Sequence, residues 1–168
     1  LNAERGEALA GELNARSATD SALFRRTDVT SEADAEVVVA LAVETFGGLQ
    51  GLINCAGVGD PAKVVDRHGE PLPLETFSRI VNINLLGSFN MLRLAAAAMA
   101  KGVPQADSER GVIINTASVA AFDGQIGQAG YAASKGGIVA MTLPMARELA
   151  RHGIRVMTIA PGLFMTPL

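Results

Sequence analysis

Tryptophan is absent from the 168 residues, tyrosine and cysteine occur once each, and histidine occurs twice. With one cysteine, Cys55, no internal disulfide can close, so nothing asks for an oxidising compartment. The apolar neighbours Leu52, Ile53 and Ala56 lead us to expect a buried, structural thiol. His68 stands in a charged stretch and His152 beside Arg151 at a helix end, with no Cys/His cluster near either, so no metal is expected. Nor is there an excess of positive charge. A net charge of −3 gives no overall attraction to phosphodiester backbones, which excludes general nucleic-acid binding. No uncharged apolar run reaches the roughly 18 residues a bilayer crossing needs, and no basic segment leads into an apolar one as a secretion signal would. The expectation is a cytoplasmic protein with no membrane partner, or a mitochondrial matrix protein in a eukaryotic source.

Hydrophobic side chains are plentiful at 49%, enough aliphatic surface for the core of one domain spanning 1–168. Leu9 and Leu13, four apart, place a helix over residues 2–16. Leu23 to Arg26 is a short strand candidate. Thr30 or Ser31 caps a helix that runs to Phe46, where Gly47-Gly48 stops it. Leu49 to Cys55 is an apolar strand and 60–73 a loop rich in Pro, Gly and charge. From Leu74 to Ala100 apolar residues recur at helical spacing with few charges, which points to a helix covered on several sides and hence to a subunit interface. A strand at 112–115, a small-residue loop, a helix from Tyr131 to Arg151 carrying Pro144, and a strand at 154–159 complete the pattern. Apolar strands alternating with helices specify an α/β fold, a doubly wound parallel sheet.

Ligands of such sheets bind beyond the carboxyl ends of the strands. Ser118 follows the strand at 112–115, and Tyr131 and Lys135 open the next helix. Four residues apart, Tyr131 and Lys135 share a helix face with β-carbons about 5–6 Å apart. An ammonium beside a phenol favours the phenolate, so the pair is expected to move a proton near neutral pH. Ser118 offers a hydroxyl to orient a reacting alcohol or carbonyl.

Asn54-Cys55-Ala56-Gly57, Asn84, Ser118, Tyr131-Ala132-Ala133-Ser134-Lys135 and Pro161-Gly162 resemble the short-chain dehydrogenase/reductase family in order and spacing, over nearly the whole chain. The resemblance implies a Rossmann-like sheet and an NAD(P)-dependent oxidoreductase that interconverts a secondary alcohol and a ketone. It implies that Tyr131 is the general acid/base, that Lys135 assists it and holds the nicotinamide ribose, and that Ser118 positions the substrate oxygen. Asn84 resembles the family asparagine that anchors a water near Lys135; read alone, it is equally an amide capping a helix irregularity. Asp28 and Val29 resemble the adenine-contacting pair, although Asp28 alone reads as a turn residue. Asn54, Cys55, Ala56, Gly57, Pro161 and Gly162 resemble cofactor-lining backbone, and Phe164 and Thr166 the residues that meet the carboxamide end.

Within the family, the runs 111–122 and 154–164 are most similar to dehydrogenases of 3-hydroxyacyl-CoA or hydroxysteroids. That implies NAD, with NADP left open, an acyl-CoA or steroid-like substrate, and a homotetramer or homodimer. Two other readings remain: an NADPH-dependent 3-oxoacyl-carrier-protein reductase, and a non-catalytic scaffold subunit. Gly57-Val58-Gly59-Asp60-Pro61-Ala62 superficially fits a dinucleotide-binding turn. Asp60 would put negative charge beside a pyrophosphate and the residues that follow are poor helix formers, so it is rejected. The family's own glycine-rich turn and first strand have no counterpart here, and relatives continue past Leu168. The expectation is a part of a longer polypeptide, one that would not fold alone as a stable monomer.

Overall fold

The computed structural model describes residues 2–17, 19 and 21–164. Helix α1 (Ala3–Ala15) is capped by Asn2, whose side chain accepts from Arg5 N. Leu23–Arg26 forms no strand. A strand is stabilised by its ladder, and no described strand lies beside this segment to pair with it. The expected strand is therefore corrected to irregular chain.

Helix α2 (Glu32–Phe46) starts at Ser31, whose hydroxyl accepts from Asp34 N at 3.2 Å, and ends at Gly47 in the left-handed region at φ 76°, where a side chain would be strained. Strands β1 (Gly51–Asn54), β2 (Gly111–Thr116) and β3 (Ile154–Ile159) make one parallel sheet in the order β1-β2-β3. Leu52 lies opposite Ile113, and Ile113 opposite Val156.

The apolar stretch between β1 and β2 is helical from Leu74 to Lys101, but it is not one regular helix. Helix α3 (Leu74–Val81) passes into a π-helical turn, Asn82–Leu86, before α4 (Gly87–Lys101) resumes. At the turn's end Gly87 N donates to Asn82 O, one residue beyond the normal α-helical step. By length and composition these 28 residues would suffice to cross a bilayer. Here Leu92, Ala95, Ala96 and Met99 of α4 are instead in the protein core.

Helix α5 (Ala129–Leu149) runs through Pro144 and connects to β3 by a short 3-10 turn closed at Gly153. From α4 and α5, those core residues and Met145 meet Ile113, Ile154 and Val156 on one face of the sheet. Each of the larger side chains among them, Leu, Ile, Val or Met, contributes roughly 1.5–3 kcal/mol when fully buried. Side chains of opposite parity, Ile53, Met157 and Ile159, remain exposed on the other face among the described residues.

Candidate active site

The carboxyl ends of β1 and β2 and the first turn of α5 come together, and the π turn lies against them. At the end of β2, Ser118 caps the short 3-10 turn 119–121, its Oγ accepting from Ala120 N at 3.1 Å. Val119 N donates to Pro161 O at 2.9 Å and Ala117 N to Ile159 O at 2.8 Å, which holds the Pro161-Gly162 turn beside Ser118. The predicted neighbours after β2 and β3 are thus tied through the backbone.

Tyr131 and Lys135 occupy the first turns of α5, as the four-residue spacing requires. The Lys135 side chain crosses to β2, where its Nζ donates to Thr116 O at 2.7 Å and lies 5.6 Å from the centre of the Tyr131 ring. Lys135 is only 4% exposed. Burial pulls its pKa below the ordinary lysine value, an effect partly countered by the nearby Cys55. The Tyr131 ring is also close to Gly59, where a β-carbon would lie 3.6 Å from Cδ2.

Asn84, in the π turn, is completely buried. Its Oδ1 accepts from Val58 N at 2.8 Å, and its Nδ2 donates to Val58 O at 2.9 Å and to Ser134 Oγ at 3.0 Å. It sits at a helix irregularity, where its amide ties the π turn to Val58 and Ser134. Ser134, Thr116 and Val58 were not singled out from sequence. Their roles are a hydroxyl and backbone atoms presented by distant segments, for which no local motif exists.

A cleft of about 1060 Å³ has Phe24 to Val29 in one wall and Cys55 to Val58 in the other. It gathers the predicted adenine pair, Asp28 and Val29, with Cys55, Ala56 and Gly57; Ser118, Tyr131 and Lys135 are not in its lining. Asp28 Oδ1 accepts from Thr30 Oγ1 and Thr30 N at 2.7 and 2.9 Å, and these bonds hold its carboxyl below the usual carboxylate range. Asn90 Nδ2 donates to Val29 O and Ser31 O, fastening this turn to α4. Asn54 is buried and its amide donates to Ser88 O and Asn115 Oδ1.

Cys55 is exposed, which corrects the expectation of a buried thiol. Alternation along β1 turns it away from the α4 face that buries Asn54, so its apolar neighbours in sequence do not cover it. Phe164 is 75% exposed, and Thr166 lies outside the described residues. The rejected glycine pattern at 57–62 forms no helix, and Asp60 pairs with Arg79 of α3.

These residues fit a nicotinamide nucleotide. A methyl group on Gly57 would sit 3.3 Å from Asn84 Oδ1 and 3.7 Å from Lys135 Nζ, so the bare glycine leaves backbone open beside the ammonium. Lys135 has three donors and gives one to Thr116 O, which leaves two for ribose hydroxyls. Asp28 and Val29 line the same cleft as Gly57.

Residues 1–168 match the family described as short chain dehydrogenase. The 3-hydroxyacyl-CoA dehydrogenase type-2 of Bos taurus is 54% identical over 159 residues, covering 94% of this chain and 61% of its own length. Among solved structures, the 3-hydroxyacyl-CoA dehydrogenase type-2 from Mycobacterium avium superposes with a TM-score of 0.91 at 40% identity, over 99% of this chain and 64% of that one. An NAD+-bound xylitol dehydrogenase superposes with a TM-score of 0.82 at 34% identity, over 96% and 57%. The chain thus spans about three fifths of the length of the curated relatives it matches. With Ser118, Tyr131 and Lys135 gathered at the carboxyl edge of a parallel sheet, and the family match running from end to end, the chain belongs to the short-chain dehydrogenase family.

Proposed function

We propose that the polypeptide carrying this chain interconverts a secondary alcohol and a ketone with a nicotinamide nucleotide, and that its substrate is a 3-hydroxyacyl-CoA. The observation that carries the chemistry is the Lys135 ammonium, buried, anchored on Thr116 O and 5.6 Å from the Tyr131 ring. Support for the substrate comes from relatives named 3-hydroxyacyl-CoA dehydrogenase type-2 at about half identity. The NAD+-bound relative supports NAD as the nucleotide.

A nicotinamide nucleotide, held at its ribose by Lys135, would supply the hydride chemistry. The protein's part is the proton. Tyr131 Oη takes the hydroxyl proton as the carbonyl forms, and gives it back when a ketone is reduced. Lys135 places a positive charge beside the phenol and would donate to the ribose, so one residue would both orient the nucleotide and favour the phenolate. Ser118 Oγ donates to the reacting oxygen and holds it within reach of Tyr131.

We also propose a homodimer or homotetramer, supported by Leu86 and Phe89, which are 53% and 45% exposed at the start of α4. Assaying acetoacetyl-CoA with NADH and NADPH tests the reading. Turnover preferring NADH is expected. Strict dependence on NADPH, with a carrier-protein thioester preferred over CoA, would establish the reductase instead.

A further inference from the structure

We infer that Ser134 is a positioning residue, the link by which the first turn of α5 sets the orientation of the Asn84 amide and through it the backbone turn at Gly57-Val58. The inference rests on the dehydrogenase reading above. Ser134 is completely buried between Tyr131 and Lys135 and Asn84 is equally buried, although the two are fifty residues apart.

The direction of every hydrogen bond in this chain of contacts is determined. Val58 N–H can only donate, so the atom of Asn84 facing it must be Oδ1. That puts Nδ2 toward Val58 O and Ser134 Oγ, and Nδ2 can only donate. Ser134 Oγ therefore accepts from Asn84, and its single proton goes to Tyr131 O, 2.7 Å away. A run of polarised bonds leads from the Tyr131 carbonyl through Ser134 and Asn84 to both backbone groups of Val58.

What this run holds in place is next to the chemistry. Gly57 lies against both Asn84 Oδ1 and Lys135 Nζ, the two groups nearest an added β-carbon there. The turn therefore closes over the lysine from one side while Thr116 O anchors it from the other. Without the Ser134 hydroxyl, Asn84 Nδ2 retains only Val58 O. The amide is then held by Val58 N and Val58 O alone, so neither its orientation nor that of the turn is tied any longer to the first turn of α5. Ser134 touches neither substrate nor nucleotide; it acts through Asn84.

The test uses the whole polypeptide carrying these residues, with Ser134→Ala and Ser134→Thr. Thr keeps a hydroxyl that can bond back to the carbonyl three residues earlier. Amide hydrogen exchange reads the link without any turnover. In Ser134→Ala the Val58 amide is expected to exchange at least about tenfold faster, while the amides of β2 keep their wild-type rates. In steady-state assays kcat is expected to fall about tenfold with the substrate KM little changed, and Ser134→Thr should recover most of both effects.

Unchanged exchange at Val58 in Ser134→Ala overturns the inference. So does acceleration spread evenly over β2, or equal damage in the Ala and Thr variants, because either would make Ser134 a packing residue only. Absence of any nicotinamide-linked turnover in the wild type would defeat the functional reading, while the exchange result would still decide whether Ser134 holds the turn.

Discussion

Lys135 puts a charged amine in a place only 4% exposed, with one backbone carbonyl accepting from it. A buried charge without a full set of partners destabilises the fold that holds it. Replacing it by an apolar side chain of similar length should therefore abolish turnover without harming stability: Lys135→Met is expected to melt at the same temperature as wild type or higher. The pH dependence has a definite sign. Burial places the folded-state pKa of Lys135 below its unfolded value of 10.5, so between those limits the unfolded chain holds a proton that the folded chain has released. Stability from this group accordingly rises with pH across that window, and the advantage of Lys135→Met over wild type should shrink as the solution is made alkaline. Melting curves at a series of alkaline pH values would show it, and an advantage that grows with pH would contradict it. For Tyr131→Phe the ring and its contact with Gly59 stay, and only the proton-carrying oxygen goes. Turnover should fall by about two to four orders of magnitude while nucleotide affinity measured by titration is kept. Near-normal turnover would remove Tyr131 from the proton transfer.

Helices and strands show where the sequence was readable and where it was not. The cap at Ser31, the stop at Gly47 and the strand at Ile154–Ile159 follow from local chemistry: a hydroxyl for orphan N–H groups, a residue without a side chain at positive φ, and a continuous apolar run. Tyr131 and Lys135 share a face because helical spacing alone puts them there. The π turn at Asn82–Leu86 was not visible, because apolar residues recur through it much as they do in a regular helix. Its extra residue is what aims Asn84 inward, a matter of backbone hydrogen bonding to Val58 and Ser134 that no spacing rule encodes. Leu23–Arg26 has a strand's composition without a strand's pairing, since pairing depends on a neighbour and not on the segment itself. Cys55 was misjudged for a related reason, its burial depending on which sheet face it meets rather than on its sequence neighbours. At the element level the close approach of α4 to the 28–30 turn is open to test. A β-carbon on Gly87 would meet Val29 Cγ2 at 2.5 Å. Gly87→Ala should push that turn outward, lower stability by about 1–3 kcal/mol in urea denaturation, and weaken nucleotide binding as Asp28 and Val29 shift. Unaltered nucleotide affinity in Gly87→Ala would separate that turn from the site.

Across the whole molecule, α4 and α5 pack on one face of the three strands and the active residues lie at one end. The apolar surface of Leu86 and Phe89 at the start of α4 is contiguous with a helix rather than with the cleft, so its burial by a second subunit would leave the nucleotide path clear. Light scattering on the polypeptide carrying this chain should give the mass of a dimer or tetramer; a monomer across the micromolar range would count against an interface there. The solitary thiol has a use at this scale. Because Cys55 is the only sulfhydryl in the 168 residues and stands solvent-accessible in the cleft wall, a maleimide dye should attach to these residues at one equivalent without any engineering. Nucleotide added beforehand should slow that attachment, so the labelling rate becomes a built-in optical gauge of cleft occupancy, readable even in variants that have lost all turnover.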